Sequence, residues 1–250
     1  MAARGFLGAG DVYIERYVAG VSQGLAGPYF ADKFEIKPNV DKKELTSKGR
    51  DTYGQVLESV SLQKPAGFTL ELNEVNTESL TIALLGTAGS STQASGALAA
   101  VPVVVKLDRW VPIGKEALIA VTAVTHTSNA PTYVEGTDYV LNKPLGMIKA
   151  IAGGAILDAA SVKVTGTYAA IASTKISGAT NTDIRAKLIF DGKNQADGLP
   201  VIVTVWEAII AADSAFDFLG NDFNKVVLPG TMKTPFNKTE PFVVELRSAA

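Results

Sequence analysis

The stretch Lys33–Asn73, KFEIKPNVDKKELTSKGRDTYGQVLESVSLQKPAGFTLELN, alternates at both ends and not in its middle. Phe34 and Ile36 alternate with Lys33, Glu35 and Lys37, and Phe68, Leu70 and Leu72 alternate with Thr69, Glu71 and Asn73. Period two places one set of side chains on a single face, so each end reads as a half-buried β-strand. Pro38-Asn39 stops the first strand. From Asn39 to Ser59 apolar residues are sparse, with Val40, Leu45, Tyr53, Val56 and Leu57 the main ones. Five basic residues (Lys37, Lys42, Lys43, Lys48, Arg50) and five acidic residues (Glu35, Asp41, Glu44, Asp51, Glu58) surround them. So long a charged excursion between two strands reads either as a solvated hairpin or as a protruding arm whose mixed charges meet a neighbour.

Working outward, Val12, Ile14 and Tyr17-Val18 give strand character before a glycine-rich turn. Val60 and Leu62 bring strand character back ahead of Phe68. Asn76–Leu85 is a short helix: Asn76 or Thr77 caps it, Glu78 suits its first turn, Leu80, Ala83 and Leu84 share a face that Ile82 and Leu85 widen, and Gly86 ends it. From Val101 to Ala170 short strands alternate with turns such as Pro112-Ile113-Gly114 and Gly153-Gly154, as in a small self-contained β-unit. Flexible links rich in Ala, Ser, Thr and Gly flank it, Thr87–Ala100 before and Ile171–Asn181 after. The division is therefore a discontinuous body, 1–100 with 171–250, carrying an inserted β-domain at 101–170. The last third holds strands Ile184–Phe190 and Leu199–Ile210 around the turn Asp191–Gly198. A helical turn at Asp213–Gly220 and strands Lys225–Leu228 and Phe242–Leu246 follow. The fold class is mainly β with one short helix.

Composition bounds the chemistry. The chain has 250 residues, 47% hydrophobic and 19% charged, with a formal net charge of −2. This suits a folded core and lacks the basic footprint of a duplex-gripping protein. Cysteine is absent and there is one histidine, His126. Disulfides, thiolate metal sites and the usual zinc sets are therefore excluded. No G-x-S-x-G elbow accompanies His126, so the expectation is a protein that is not an enzyme and takes no cofactor or metal. Gly8-Ala9-Gly10 has no strand before it and no third glycine, and reads as a turn. Gly86-Thr-Ala-Gly89 lacks the lysine of a phosphate loop. Asp191–Gly198 is rich in oxygen ligands but has Ile202 where a calcium loop needs glutamate, so a hairpin turn is the better reading. The N-terminus shows no signal peptide, and polar Thr87–Ser95 dilutes the longest uncharged stretch below a membrane span.

Three groups of motifs carry a resemblance. The first is Phe34-Glu35-Ile36-Lys37-Pro38-Asn39-Val40, Lys48-Gly49-Arg50-Asp51-Thr52-Tyr53-Gly54 and Lys64-Pro65-Ala66. The second is Leu188-Ile189-Phe190-Asp191-Gly192-Lys193-Asn194, Trp206-Glu207-Ala208 and Phe218-Leu219-Gly220-Asn221-Asp222-Phe223. The third, within the insertion, is Tyr133-Val134-Glu135-Gly136-Thr137-Asp138-Tyr139 with Gly146-Met147-Ile148. In this order they resemble phage major tail, or tail-tube, proteins. The resemblance implies a β-sandwich tail-tube fold whose sheets join those of neighbours into hexameric rings. The rings stack into a hollow conduit for DNA ejection, made in the host bacterial cytoplasm and resident in the virion tail. Implied partners are further copies of the chain, other tail proteins and, in a contractile tail, a sheath. DNA would pass without sequence-specific binding, and no membrane is involved. A mildly acidic chain suits such passage, because it lacks the cations that would grip phosphate. Lys42, Lys43, Glu44, Lys48, Arg50 and Asp51 are then expected to form an inter-subunit stacking arm. Two alternatives stay open: an inner-tube subunit of a contractile secretion or bacteriocin particle, and a carbohydrate- or surface-binding module using Trp110, Tyr133 and Tyr139.

Overall fold

The two alternating ends of the opening stretch pair with each other. In a computed structural model describing residues 5–211 and 215–247, β2 (Val21–Thr46) and β3 (Val56–Leu72) form a long antiparallel hairpin with Phe34 opposite Leu70 and Ile36 opposite Phe68. Phe68, Leu70 and Leu72 are buried, and Phe34 and Ile36 pack against the same core. β1 (Gly8–Val18) pairs with the first part of β2 and turns Val12 and Ile14 into that core. Helix α1 (Thr77–Ala83) starts at Asn76, whose side chain accepts from Ser79 N at 2.8 Å while Ser79 Oγ accepts from Asn76 N at 2.9 Å. This reciprocal cap satisfies two of the helix's orphan donors. Of the expected apolar face Ile82 is fully buried, and Leu80, Ala83, Leu84 and Leu85 are half buried. At the helix end the left-handed backbone falls on Leu85 (φ 45°), not on Gly86. Gly86 serves close packing instead, since a Cβ there would lie 2.8 Å from the Ser177 carbonyl oxygen.

Residues Gly89–Lys175 form a compact unit of their own, and the rest of the chain forms the other. The expected insertion at 101–170 is wider in the structure because its flanks are ordered. β4 (Thr87–Gln93) and β12 (Ile171–Ser177) pair as a two-stranded ribbon where flexible links were expected. Inside the unit, β5 (Gly96–Val104), β11 (Ser161–Tyr168), β7 (Leu118–His126) and β8 (Thr132–Tyr133) make one sheet in that order. β6 (Val111–Pro112), β10 (Met147–Ala150) and β9 (Tyr139–Asn142) make the other. Val124, Ile148, Val162 and Val164 are fully buried in one core shared by both sheets.

Asp138 ties this unit together. Its carboxylate accepts from Val134 N and Ala155 N, both at 2.8 Å. These backbone donors, Ala155 first, hold its carboxyl below the ordinary 3.8. A depressed folded pKa contributes stability that is present above the unfolded value and lost as pH falls through the folded one. Asp138→Ala leaves two amides without their acceptor and should lower the Tm of this unit by on the order of 5–10 °C at neutral pH. The difference from the parent should shrink below about pH 4, measured by thermal melts across pH.

The body closes through its last strands. β13 (Ile184–Asn194) pairs with β1 on one edge and with β14 (Pro200–Ile210) on the other. β14 pairs through Glu207–Ile210 with β15 (Val226–Lys233), and β15 pairs with β3. The circuit β13-β1-β2-β3-β15-β14 thus returns to β13 with every neighbour antiparallel. It is a closed ring of strands around one core. Val201–Val205 of β14 carries β16 (Phe242–Leu246) along the same edge as β15.

Closure explains three departures from the sequence reading. Gly8-Ala9-Gly10 lies in β1 rather than in a turn, because a Cβ on Gly10 would come within 2.4 Å of the Asp191 oxygen across the pair. The turn expected after Val18 is confined to Ala19-Gly20, and Gly24 and Gly27 lie within β2. β13 continues through Asp191–Asn194, paired with Gly8–Asp11, so the expected turn is shorter. Of the helical turn expected at Asp213–Gly220, residues 213 and 214 lie outside the described residues, and 215–220 is not helical. Among the described residues no helix is long and apolar enough to cross a membrane.

Candidate assembly surface

Past the closed ring, the β2–β3 hairpin runs on as a two-stranded ribbon. Beyond Phe30 β2 pairs only with β3, and between Val56 and Ala66 β3 pairs only with β2. Both outer edges of the ribbon are therefore without backbone partners among the described strands. Such edges are templates for added strands. Pro38 and Pro65, lacking N–H groups, stand beside the register shift at the base of the ribbon.

The tip is well formed. Ser47 N donates to Gln55 O at 2.7 Å, Gly54 N donates to Ser47 O at 2.9 Å, and the Ser47 and Thr52 hydroxyls meet at 2.6 Å. Gly54 (φ 84°) supplies the left-handed residue that the reversal needs. Tyr53 stands out from it, 78% exposed.

The register sorts the ribbon into two unlike faces. Lys42 lies opposite Ser61 and Glu44 opposite Ser59, which gives a mainly polar face that also carries Val40. Asp41 lies opposite Leu62, Lys43 opposite Val60 and Leu45 opposite Glu58, so the other face interleaves Leu45, Val60 and Leu62 with charges. These three apolar side chains are each about half exposed or more. The expected stacking residues divide accordingly: Lys42, Lys43 and Glu44 sit on β2 in the ribbon, and Lys48, Arg50 and Asp51 sit in the tip.

Most of these charges find partners within the arm. Lys42 pairs with Glu44, Lys43 reaches Asp41 at 3.3 Å, Lys64 reaches the same Asp41 at 3.5 Å, and Arg50 reaches Asp51 at 3.4 Å. Exposed pairs of this kind are worth about 0–1 kcal/mol each. Covering the Leu45, Val60 and Leu62 side chains against another surface gains on the order of 1 kcal/mol or more apiece. Covering the apolar stripe therefore offers a larger gain than the exposed ion pairs beside it. Sequence reasoning grouped Val60 and Leu62 with the returning strand and so missed the stripe. The signal was there, because Glu58, Val60 and Leu62 continue the period-two pattern into the arm.

The other residues raised by the sequence take part in local hydrogen bonds. His126 Nδ1 meets Ser128 Oγ at 2.8 Å in a turn. Asn194, beside the oxygen-rich loop, uses its side chain to hold Leu7 N (2.9 Å), Ala196 N (3.2 Å) and Gly5 O (3.3 Å). Among the described residues no group of three or more His, Cys, Asp or Glu side chains could hold a metal ion. Tyr133 and Tyr139, expected as exposed aromatics, are buried in the inserted unit's core because period two turns them inward. Trp110 alone of the three is surface-accessible, at 45%.

No curated protein matches the chain. Residues 5–241 match the sequence model of a family described as protein of unknown function UCP028589, and the chain belongs to that family.

Proposed function

We propose that this protein is a non-enzymatic structural subunit of a phage tail tube, assembling with copies of itself into hexameric rings that stack into a conduit for DNA. The observation that carries the reading is the β2–β3 ribbon. A ribbon with two free edges and an apolar stripe at Leu45, Val60 and Leu62 is a poor structure for a monomer and a suitable one for a polymer. β16 adds a second free edge on the body, available for sheet-to-sheet joining around a ring. On this reading the closed ring of strands is the tail-tube sandwich and the arm joins one ring to the next. The inserted unit faces the exterior, since a domain in the lumen would obstruct DNA. The sequence motifs and the mildly acidic composition support the same assignment.

Negative-stain electron microscopy of the purified protein tests it. Rings or tubes with a central hole are expected at high protein concentration. Monodisperse monomers across the concentration range would overturn the assembly reading.

A further inference from the structure

A concave site lies on the outer face of the β1–β13–β14 wall and shares no lining residue with the arm. Its volume is about 380 Å³, and its chemistry comes from Tyr17, Arg185, Lys187, Trp206, Glu207 and Lys238. A β-bulge builds its floor. Ala186 pairs with Ala208 and Leu188 with Val205, so Trp206 and Glu207 together stand opposite Lys187. Bulges of this kind redirect a side chain that regular pleating would place elsewhere. The segment after β15 then folds back beside the floor, held by Trp206 N donating to Pro241 O at 3.1 Å and Lys238 N donating to Pro235 O at 3.0 Å.

The charges around the indole do not balance. Glu207 takes Arg185 at 3.0 Å and Lys233 at 3.3 Å, Asp183 takes Arg185 at 3.4 Å, and Glu15 reaches Lys187 at 3.7 Å. Lys238 has no carboxylate partner among the described residues and rests its ammonium 3.7 Å from the centroid of Trp206. Lys187 lies 6.0 Å from the same centroid. Four cations therefore surround three carboxylates at this site. Trp206 Nε1 is buried and has no hydrogen-bond acceptor among the described residues. A buried donor without a partner is uncommon and unfavourable. A cation held only by a ring face is a weaker arrangement than one held by an oxyanion. Both deficits are of the same kind, a missing acceptor oxygen.

We propose that this bowl is a binding site for a small free oxyanion, of the phosphate or carboxylate class. Its oxygens would take the ammonium of Lys238 off the ring and accept from the indole N–H, while Lys187 and the free side of the Arg185 guanidinium complete the cationic wall. The cavity has room for several heavy atoms, and the flat indole floor favours a compact or planar anion. The site is independent of the arm, so the tube reading can fail while this one stands, and the reverse.

The chain has two tryptophans, so Trp110→Phe leaves Trp206 as the sole indole reporter. Inorganic phosphate and citrate are titrated into this variant with ionic strength held constant by sodium chloride. A saturable change in Trp206 emission with a millimolar midpoint is expected. Adding Lys238→Met, which keeps the stem and removes the charge, should weaken the midpoint roughly tenfold. A linear response equal to that of sodium chloride would overturn the proposal, as would an unchanged midpoint in the Lys238→Met variant. Emission that depends on protein concentration and not on added anion would also overturn it, assigning the site to a carboxylate of a second copy. Lys187→Met provides a second, independent loss of affinity on the same wall.

Discussion

A chain in which Val40–Gln63 is replaced by Asn-Gly is expected to fold as a soluble subunit and to lose the ability to build tubes. The register dictates the cut. Asn39 and Lys64 are directly opposed, so a two-residue type I′ turn joins them without disturbing the pairs below. The core is untouched, since Phe34, Ile36, Phe68 and Leu70 all lie on the body side of the cut. A deletion of Lys42–Asp51 alone would be a poorer experiment, because it strands Ser59–Ser61 without their opposite residues. The near-ultraviolet spectrum and Tm of the excised chain should match the parent within a few degrees, while microscopy shows no stacked rings. A milder companion is Val60→Asp, which puts a charge into the middle of the apolar stripe. It should keep the arm and raise the concentration needed for assembly by about tenfold or more. Normal tubes from both variants would remove the arm from the assembly interface.

Gly146→Ala should unfold the inserted unit and leave the body standing. Gly146 has φ 61°, and a Cβ there would sit 1.6 Å from the Lys115 carbonyl oxygen and 2.6 Å from its carbon. Two penalties fall on the same atom, a left-handed backbone and a collision with main chain that has no rotamer by which to move. The contact is built in, because Ile113 N donates to Gly146 O at 2.9 Å and Ala117 N to Pro144 O at 3.0 Å, which holds the two segments together. The loss should exceed about 4 kcal/mol, comparable with the roughly 5–10 kcal/mol that sustains a unit of this size. Hydrogen exchange should show β7 and β11 losing protection while β13 and β14 keep theirs. Gly153→Ala is the control. Its φ is 88°, but a Cβ there meets nothing within 4 Å, so only the backbone penalty of about 1 kcal/mol is expected. Equal protection in Gly146→Ala and the parent would contradict the packing described here.

The residues that were easy to read were those whose local pattern and tertiary environment agree. Phe34, Ile36, Phe68 and Leu70 alternate and pack together, and Asn76 both looks like a cap and is one. The inserted β-unit announced itself by its density of short strands and turns. What escaped was set by partners distant in sequence. Gly8–Gly10 and the start of β2 from Val21 have weak strand propensity, and they are strands because β13 and β1 supply ladder partners. Closure of the ring depends on β14 sharing one edge between β15 and β16, a division no periodicity encodes. The arm is visible as a run of charge into which the alternation of Val60 and Leu62 continues, and the register adds which charges stand beside them, Lys43 opposite Val60. Trp206 lies in the apolar run Leu199–Ile210, and only the pairing with β13 shows the bulge that sets Trp206 and Glu207 together opposite Lys187.

The ribbon formed by β4 and β12 makes the inserted unit detachable. Adjacent antiparallel strands run about 5 Å apart, so the chain enters and leaves the unit through a single doorway. Any module whose termini lie that close could occupy the same doorway at little loop-closure cost, because the ends are already held together. The inserted unit can thus be exchanged as a cassette, while the strands of the ring and of the arm keep their own pairings.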